Sequence, residues 1–326
     1  MKAIVYEEYG PPEVLQLKEM EKPTPKDDEV LIKIHATSVI LGDCEFRSFS
    51  FPYWFWLPLR LYAGFRRPKR VNILGQELAG EVEAVGKNVT RFQPGDSVFG
   101  SPEISLGAYA EYTCLREDMP LAPKPANMTY AEAATVPTGG LNALHYIRKA
   151  NIQRGDNVLI NGAAGNIGSF AVQLAKHFGA EVTAVDSTAK LEMLRSIGAD
   201  HVIDYTQEDF TKNGVTYDVI FDVVGKSAYS RSLKSLAPNG CYLLANPKGF
   251  GEMIRGAWTS RTSSQQVSFA FSQYTVEDLD YLRELIESDV LKAVIDRTYP
   301  LEQMVEAHRY VDSGQKIGNI AIIVTA

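Results

Sequence analysis

The alternation of strand-like and helix-like runs in the middle of the chain constrains the fold most. In residues 167–178 the apolar positions recur at i, i+3, i+4, i+7 and i+8, which places them on one buried helix face. A second helix is predicted at 189–197, where Gly198 ends it. Strand-like runs flank these helices, at 157–160, 181–185, 201–205, 218–224 and 241–245. Nearly continuous apolar strands between helices predict an α/β class with a doubly wound parallel sheet.

The first third of the chain has a different, β-rich pattern. Its short runs are rich in Val, Ile and Tyr and are separated by Gly, Pro and Asp, which predicts a small barrel-like antiparallel unit. Near residue 125 the pattern becomes helical, with Thr129 as a candidate N-cap and Glu132 at capping-box spacing. After about residue 265, two helical stretches lead to a final strand at 319–324. We expect this last segment to return to the first domain.

A turn of small residues joins the first strand of the alternating region to its helix. Residues 161–168 read Asn-Gly-Ala-Ala-Gly-Asn-Ile-Gly. Such a turn lets backbone N–H groups approach a pyrophosphate, and the helix N-terminus adds partial positive charge. The G-x-G-x-x-G pattern has Ala163 at its first position, and a tight helix–sheet contact is the alternative interpretation. Because the turn lies within a βαβαβ pattern, we predict that a dinucleotide is bound by Gly162, Ala163, Ala164, Gly165, Asn166 and Ile167.

An acidic residue ends the second strand. Asp186 follows Gly168 by 18 residues, and a carboxylate there accepts hydrogen bonds from the adenosine ribose, which favours NAD. Ser187 and Lys190 come next and could hold the 2′-phosphate of NADP instead. Their alternative roles are a helix N-cap and a solvated charge. We therefore expect NAD or NADP as cofactor, with a slight preference for NAD.

Composition excludes several function classes. The chain has 326 residues, enough for two domains, and its formal net charge of −7 disfavours nucleic acid as a partner. Its three cysteines, Cys44, Cys114 and Cys241, lie far apart and form neither a zinc nor a disulfide pattern. The N-terminus has no apolar signal segment, so we expect a cytoplasmic protein.

Seven motifs in one order give the chain a family resemblance: GQELAGEVEAVG, PGDSVFG, GAYAEY, AATVPTGGLNAL, NGAAGNIG, GADHVIDY and FDVVG. It resembles the zinc-free medium-chain dehydrogenase/reductases of the quinone oxidoreductase (zeta-crystallin) type, over nearly its whole length. The resemblance implies a GroES-like catalytic domain at 1–123, completed by 266–326, and a Rossmann domain at 124–265. It also implies that NAD(P) lies in the cleft between them.

The catalytic zinc ligands of related alcohol dehydrogenases are missing at the matching positions. Ile40 stands at the first cysteine and Gln76 at the histidine, and neither residue type is an ordinary zinc ligand. Gly42 stands where such enzymes carry a proton-relay hydroxyl, and the structural cysteine lobe is absent around residues 101–107. We therefore predict no zinc, with Asp43 and Glu77 left as hydrogen-bonding supports.

The resemblance also implies roles for individual residues. Many zinc-free relatives carry an Asn where this chain has Ile40, so the donor to the developing oxyanion must come from elsewhere. Tyr53, Tyr62 and Thr138 are candidates, although the tyrosines could equally pack in the core. The remaining cofactor-binding candidates are Thr138 and Asn142 near the nicotinamide, Tyr205 near the adenosine, Val223 and Val224 on the cofactor floor, and Asn246 and Asn319. For the last two, ordinary turn chemistry explains the residue equally well.

Loss of the zinc ligands favours one chemistry. A metal Lewis acid is what deprotonates an alcohol, and without one the accessible reaction is reduction of an activated acceptor by hydride from the nicotinamide. The resulting hypothesis is an NAD(P)H-dependent reductase of quinones or α,β-unsaturated carbonyls. One alternative is a nucleotide-binding protein with little catalysis, associated with a membrane surface or a partner. An alcohol dehydrogenase is a further, less favoured alternative.

An aromatic run between residues 50 and 65 bears on the substrate. Seven of its sixteen residues are aromatic, and the run lies between Asp43 and Gln76. Pro52, Pro58 and Arg60 argue against a membrane-spanning helix, and Pro58 would at most begin a short helix near Leu59. A core lobe is one interpretation; the other, which we favour narrowly, is a wall for a large hydrophobic acceptor. The surrounding residues 46–70 would allow weak contact with a membrane surface, and we expect a homodimer.

Overall fold

A computed structural model describes residues 1–247, 249–269 and 272–325, without the side chain of Trp54. The strands are β1 Lys2–Val5, β2 Gln16–Glu19, β3 Glu29–Ser38, β4 Leu78–Val85, β5 Ser97–Gly100, β6 Tyr112–Arg116, β7 Leu121–Pro123, β8 Asn157–Asn161, β9 Glu181–Asp186, β10 His201–Asp204, β11 Tyr217–Asp222, β12 Leu236–Leu244, β13 Gln266–Phe269, β14 Ile295–Pro300 and β15 Asn319–Ile323. The helices are α1 Leu41–Ser48, α2 Tyr53–Ala63, α3 Tyr130–Ala133, α4 Pro137–Ala150, α5 Asn166–His177, α6 Leu191–Ser196, α7 Tyr229–Lys234, α8 Phe250–Thr262, α9 Val276–Glu287 and α10 Met304–Asp312.

One compact unit, residues 139–273 and 290–292, contains a six-stranded parallel sheet. Its order is β10-β9-β8-β11-β12-β13, so the direction of winding reverses between β8 and β11. At that point Asn161 pairs with Asp222, the last residues of the two strands. The carboxyl edge at such a reversal is where ligands bind in open α/β sheets. The predicted α/β class with a parallel sheet wound in both directions is confirmed.

The other unit comprises residues 1–138, 274–289 and 293–326, and it is β-rich. Six strands follow the order β14-β15-β3-β4-β5-β7, and β6 also pairs with β3. The last strand lies antiparallel to β3, with Ala321 opposite Ser38, so the C-terminal segment adds to the sheet that the N-terminal segment begins. A core cluster on this unit includes Ile4, Tyr6, Leu74, Tyr109 and Ile320, all buried.

Several helices begin, end or bury one face where the sequence pattern predicted. Thr129 and Glu132 form the predicted capping box at the start of α3: Thr129 N–H donates to the Glu132 carboxylate at 2.8 Å. Gly198, which follows α6, has φ +103°, a conformation that glycine adopts without strain. The periodic apolar face predicted at 167–178 lies in α5, where Phe170 and Leu174 are fully buried.

The prediction for Pro58 is wrong, because α2 begins five residues earlier, at Tyr53, and includes Pro58 in its interior. An interior proline removes a backbone hydrogen bond and costs about 3 kcal/mol in a helix. Burial offsets this cost here: Leu59 and Ala63 are buried, and Trp56 packs against the same core cluster. Within the described residues, no helix is long and apolar enough to cross a membrane.

Candidate active site

Ile40 and Gln76, the two residues that match the missing zinc ligands, lie beside the start of α1. Ile40 is buried just before α1, and the Gln76 amide lies directly over Gly42. A Cβ on residue 42 would come within 2.6 Å of Gln76 Nε2. The glutamine therefore takes the space in which a side chain at position 42 would begin, and glycine is the residue that permits this.

Asp43 lies at the third position of α1 and is fully buried. Its Oδ2 accepts a hydrogen bond from the Ile40 N–H at 3.1 Å, which satisfies one of the open donors at the start of the helix. Its Oδ1 accepts from the Gly75 N–H at 3.2 Å and from Gln76 Nε2 at 3.4 Å. Burial raises the pKa of Asp43 to about 6, although these hydrogen bonds favour the ionised form. The carboxylate thus fixes which way the Gln76 amide faces.

A buried polar chain leads from Asp43 toward the surface. Arg47 donates from Nη1 to His308 Nδ1 at 2.9 Å, and because arginine only donates, Nδ1 must be the acceptor. The proton of the neutral imidazole is then on Nε2, which donates to the Tyr109 hydroxyl at 3.2 Å. Burial and the neighbouring Arg47 lower the pKa of His308 to about 3. Tyr109 in turn favours the ionised form of Asp43 and so acts against the effect of burial on its pKa. Arg47 Nη2 pairs with Asp312 Oδ2 at 2.7 Å.

Glu77, next to Gln76, is also fully buried. Its Oε1 accepts a hydrogen bond from the Thr138 N–H in the first turn of α4 at 2.6 Å, and its Oε2 accepts from Ser38 Oγ. Burial raises the pKa of Glu77 to about 7, against the effect of these two donors. Asp43 and Glu77 therefore act as acceptors that organise the backbone around Gln76.

These residues do not fit zinc. Catalytic zinc takes Cys, His or carboxylate ligands in a tetrahedral arrangement. Over the described residues, no group of three or more His, Cys, Asp or Glu side chains is placed to hold a metal ion. The Ile40 side chain has no ligating atom, and the Gln76 amide nitrogen donates a hydrogen bond to a carboxylate.

The two candidate tyrosines lie in α2 and differ in environment. Tyr53, the first residue of the helix, is 99% exposed. Tyr62 is partly buried, donates its hydroxyl to the Ile104 carbonyl at 3.3 Å, and lies under the Arg70 guanidinium at 4.7 Å. The aromatic run thus splits into one face packed on the core cluster and one face exposed.

The small-residue turn of the other unit has the geometry of a pyrophosphate site. Gly162 has φ +83°, and no side chain caps α5 at its N-cap residue, Gly165. A Cβ on Gly168 would approach the Gly162 carbonyl oxygen to 2.3 Å, so the helix packs on the turn with no room for a side chain. A Cβ on Gly165 would meet only that oxygen, at 3.6 Å, which leaves open space above the helix N-terminus. The residues present therefore fit a dinucleotide.

The loop after β11 lies beside this turn. A Cβ on Gly162 would touch the Val224 side chain at 2.6 Å. Asn246 donates its amide to the Val223 carbonyl at 2.7 Å, and the Asn246 carbonyl oxygen is 2.0 Å from where a Cβ of Gly225 would lie. Asn246 therefore fixes the backbone of the loop, a structural role that does not depend on a ligand.

Asp222 connects the ends of neighbouring strands through hydrogen bonds. It was not identified from the sequence. It is fully buried and accepts hydrogen bonds from Asn161 Nδ2 at 2.9 Å, the Gly225 N–H at 2.9 Å and the Tyr242 hydroxyl at 3.2 Å. Both Asn161 and Asp222 are polar residues that end apolar strands, a signal that could have identified them. Tyr109 and His308 were missed too, and no local pattern marks them.

Asp186 has its oxygens engaged within the protein. Oδ2 accepts from the Ala164 N–H at 3.0 Å, and Oδ1 accepts from the Ser187 N–H at 2.9 Å. Lys190 Nζ lies 3.3 Å from Oδ1. The Asp186 carboxylate therefore stabilises the small-residue turn at Ala164, and the positive charge of Lys190 offsets its negative charge. Tyr205, just after β10, has 61% of its surface exposed.

Contacts join the predicted residues into two groups, one in each unit. In one group Asp43 bonds to Gln76 and Thr138 bonds to Glu77. In the other, the turn 162–168 contacts Asp186 and Val224, and Lys190 pairs with Asp186. Two other candidates contact residues outside these groups. Asn142 Oδ1 accepts from Ser272 Oγ at 2.7 Å, and buried Asn319 donates to the Val294 carbonyl at 3.1 Å.

Comparison with known proteins gives matches along the chain. Residues 26–126 match the family described as the alcohol dehydrogenase GroES-like domain, and residues 197–322 match the family described as zinc-binding dehydrogenase. The second segment contains neither position 40 nor position 76, so its description does not bear on the missing ligands.

Three similar proteins illustrate the range of activities. The 2-methylene-furan-3-one reductase of Solanum lycopersicum is 33% identical over 99% of this chain and 79% of its own. The chloroplastic NADPH-dependent alkenal/one oxidoreductase of Arabidopsis thaliana is 32% identical, with the same coverage of 99% and 79%. The solved structure of the quinone oxidoreductase from Coxiella burnetii superposes with a TM-score of 0.89 at 31% identity, covering 100% of this chain and 99% of that one.

Proposed function

We propose that this chain, which belongs to the zinc-free, quinone oxidoreductase type of the medium-chain dehydrogenase/reductase superfamily, reduces quinones or α,β-unsaturated carbonyls with NADH or NADPH. When bound, the nicotinamide supplies the hydride. The chain itself binds and orients both partners and must provide a donor for the oxygen that becomes negatively charged.

The observation that carries this proposal is the Gln76–Asp43 pair. By the motif match, Gln76 stands where related alcohol dehydrogenases carry the zinc-ligand histidine, and its hydrogen bond to Asp43 orients an amide there. An amide can hydrogen-bond to an acceptor's carbonyl oxygen but cannot ionise an alcohol. The site therefore favours reduction of carbonyl-activated acceptors over alcohol oxidation.

We assign Asp43 a positioning role, through the hydrogen bond that holds Gln76. Tyr53 and Tyr62 remain the candidates for the oxyanion donor, and Thr138 is a third. The carbonyl of Ile104 already accepts the Tyr62 hydroxyl hydrogen, so Tyr62 would have to exchange this partner to donate to a substrate. The expected substrate is a hydrophobic small molecule, for which the aromatic run is the proposed wall.

For the cofactor we propose that the turn 162–167, Asp186, Ser187, Lys190, Tyr205, Val223 and Val224 bind NADH or NADPH, with Thr138, Asn142, Asn246 and Asn319 as further candidates. The predicted preference for NAD depends on a carboxylate available to the ribose. Internal hydrogen bonds already use the Asp186 oxygens, and Lys190 offsets its charge. We therefore propose that NADPH is accepted as well as NADH, with Lys190 as the group that receives the 2′-phosphate.

The test is an acceptor panel run with both cofactors. Purified protein should oxidise NADH or NADPH in the presence of quinones or alkenals, with no added zinc and with the same rate after treatment with a chelator. Alcohol oxidation that the chelator abolishes would refute the proposal, because it would require the metal chemistry that Ile40 and Gln76 do not support.

A second candidate function is a nucleotide-binding protein associated with a membrane surface or a partner, through residues 46–70. It is favoured by the exposure of Tyr53, Leu57 and Leu61 on one face of α2. We also propose a cytoplasmic homodimer that binds no nucleic acid, the last in line with its net charge of −7.

A further inference from the structure

One helix of the β-rich unit presents an apolar stripe to solvent. Tyr53, Leu57 and Leu61 follow one another at intervals of four along α2, and Phe65 continues the same interval after the helix ends. Their exposed fractions are 99%, 53%, 75% and 58%. The opposite face of α2 packs into the core cluster. We call these four residues the α2 stripe; a large exposed apolar surface of this kind marks an interaction site.

A basic cluster follows the stripe directly. Arg66, Arg67, Lys69 and Arg70 are all exposed, and no Asp or Glu occurs anywhere from residue 46 to residue 76. Arg60, within the helix, does not belong to this cluster. Its guanidinium lies 3.8 Å from the centre of a core phenylalanine ring and donates to a backbone carbonyl. The surface is therefore locally cationic on a chain whose net charge is −7.

We propose that this surface binds an anionic lipid bilayer, with Leu57, Leu61 and Phe65 of the α2 stripe inserted at the interface and the basic cluster against the acidic headgroups. A helix with exposed apolar side chains on one face and Lys or Arg beside them lies in the membrane plane in this way. Four neighbouring basic residues supply the attraction to anionic lipid that a short stripe alone lacks.

Charge selects the bilayer over a second copy of the chain as the occupant. In a two-fold symmetric dimer the same patch meets itself, so two basic clusters would face each other. Like charges placed together disfavour such an interface. An acidic lipid surface complements both parts of the patch at once, the apolar stripe and the cationic cluster.

This inference rests on the proposed function in one respect, since the bilayer is where a hydrophobic quinone dissolves. Binding of lipid is measured without any reaction, however. Reductase activity on a water-soluble quinone, assayed without vesicles, tests the proposed function separately. Vesicle binding by an inactive protein would refute only the proposed function, and an active reductase that ignores vesicles would refute only this inference.

The experiment is co-sedimentation of the full chain with vesicles of phosphatidylcholine alone and of phosphatidylcholine mixed with phosphatidylserine. We expect binding to the mixed vesicles at least about tenfold tighter than to the neutral ones, and weaker binding as salt is raised. Changing Arg66, Arg67, Lys69 and Arg70 together to Gln should weaken binding to the mixed vesicles on the order of a hundredfold. Leu57→Ser combined with Leu61→Ser should weaken binding to both vesicle types, by about tenfold or more.

Two control variants remove the same kinds of side chain from other parts of the surface. They show whether the position of the lost charges or apolar groups matters, or only their number. Lys26, Lys87, Arg116 and Lys212 are exposed and lie in other segments, so changing these four to Gln should leave most of the binding intact. Leu17→Ser with Val215→Ser removes apolar side chains that are 41% and 46% exposed and should have no effect. Thermal unfolding of each variant verifies that it is folded.

Three results would overturn the inference. The first is equal binding, or none, to the two vesicle types. The second is a control variant that loses as much binding as its matched test variant. The third is a Leu57→Ser, Leu61→Ser variant whose oligomeric state in lipid-free sedimentation velocity differs from that of the unmodified chain, which would make the α2 stripe an interface between copies.

Discussion

Substitutions of Gly165 and Gly168, in the turn after β8, should show which of the two glycines the fold needs and which the cofactor needs. In Gly168→Ala the new methyl would lie 2.3 Å from the Gly162 carbonyl oxygen, whereas ordinary contact begins at 3.4 Å. The first turn of α5 must therefore move by about 1 Å, and overpacking of this kind costs about 1–3 kcal/mol of stability. In Gly165→Ala the methyl meets only one atom, at 3.6 Å, and φ is −84°, so stability should fall by less than about 1 kcal/mol.

Cofactor affinity should respond differently from stability. A shift of about 1 Å takes an N–H···O bond beyond its useful range, and each hydrogen bond lost to a charged group costs about 1.5–3 kcal/mol. We therefore expect the Kd for NADPH to rise by about ten- to a hundredfold in Gly168→Ala. Gly165→Ala should lose at least about tenfold in affinity as well, although it stays folded, because its methyl projects into the space where the pyrophosphate is expected.

Fluorescence titration of NADPH gives the affinity, and urea unfolding gives the stability. Gly251→Ala is the matched control, since Gly251 lies in α8 with nothing within 4 Å of the added methyl. It should leave the affinity unchanged and raise the stability by about 1 kcal/mol at most, because alanine favours a helix more than glycine does. Gly165→Ala protein that binds NADPH as the unmodified chain does would refute the assignment of the turn as the pyrophosphate site.

Two further predictions concern Glu77 and Lys190. Burial raises the pKa of Glu77 from 4.5 to about 7. Between these two pH values the native state holds a proton on Glu77 that the unfolded chain has released. About 3 kcal/mol of the free energy of unfolding is therefore lost as the pH rises from 4.5 to 7. Glu77→Gln should flatten this part of the pH dependence of urea unfolding, and an unchanged slope would contradict the assignment. Lys190→Ala should raise the KM for NADPH about tenfold or more with little effect on NADH; an equal effect on both would show that the lysine does not receive the 2′-phosphate.

Short-range patterns in the sequence predicted the features that depend on neighbouring residues. The apolar periodicity of α5, the Thr129–Glu132 capping box and the turn at 161–168 all lie within a few residues of each other, and propensity and sterics decide them locally. Helix α2 shows where this reasoning failed. Pro58 should begin a helix on local grounds, but burial of Leu59 and Ala63 in the core outweighed its cost.

Contacts between distant segments could not be predicted from sequence. The hydrogen bonds from Arg47 to His308 and from His308 to Tyr109 join positions separated by up to 261 residues, and only the folded chain brings α1 and α10 together. Asp186 gives a second example. Its position at the end of a strand is visible in the sequence and predicts a ribose ligand. Its hydrogen bonds from the Ala164 and Ser187 N–H groups depend on the geometry of the folded turn, which the sequence does not show. Which oxygens a carboxylate has left for a ligand is decided by these tertiary contacts.

The central claim, hydride transfer to an activated acceptor without a metal, is tested most directly by following a deuterium label. Chelator-treated protein would be supplied with NADPH, or NADH, deuterated at the transferable position of nicotinamide C4, together with an α,β-unsaturated ketone. The account predicts one deuterium on the β-carbon of the saturated product, at a rate that chelation does not change. A product without the label, or turnover that returns only when zinc is added, would contradict it.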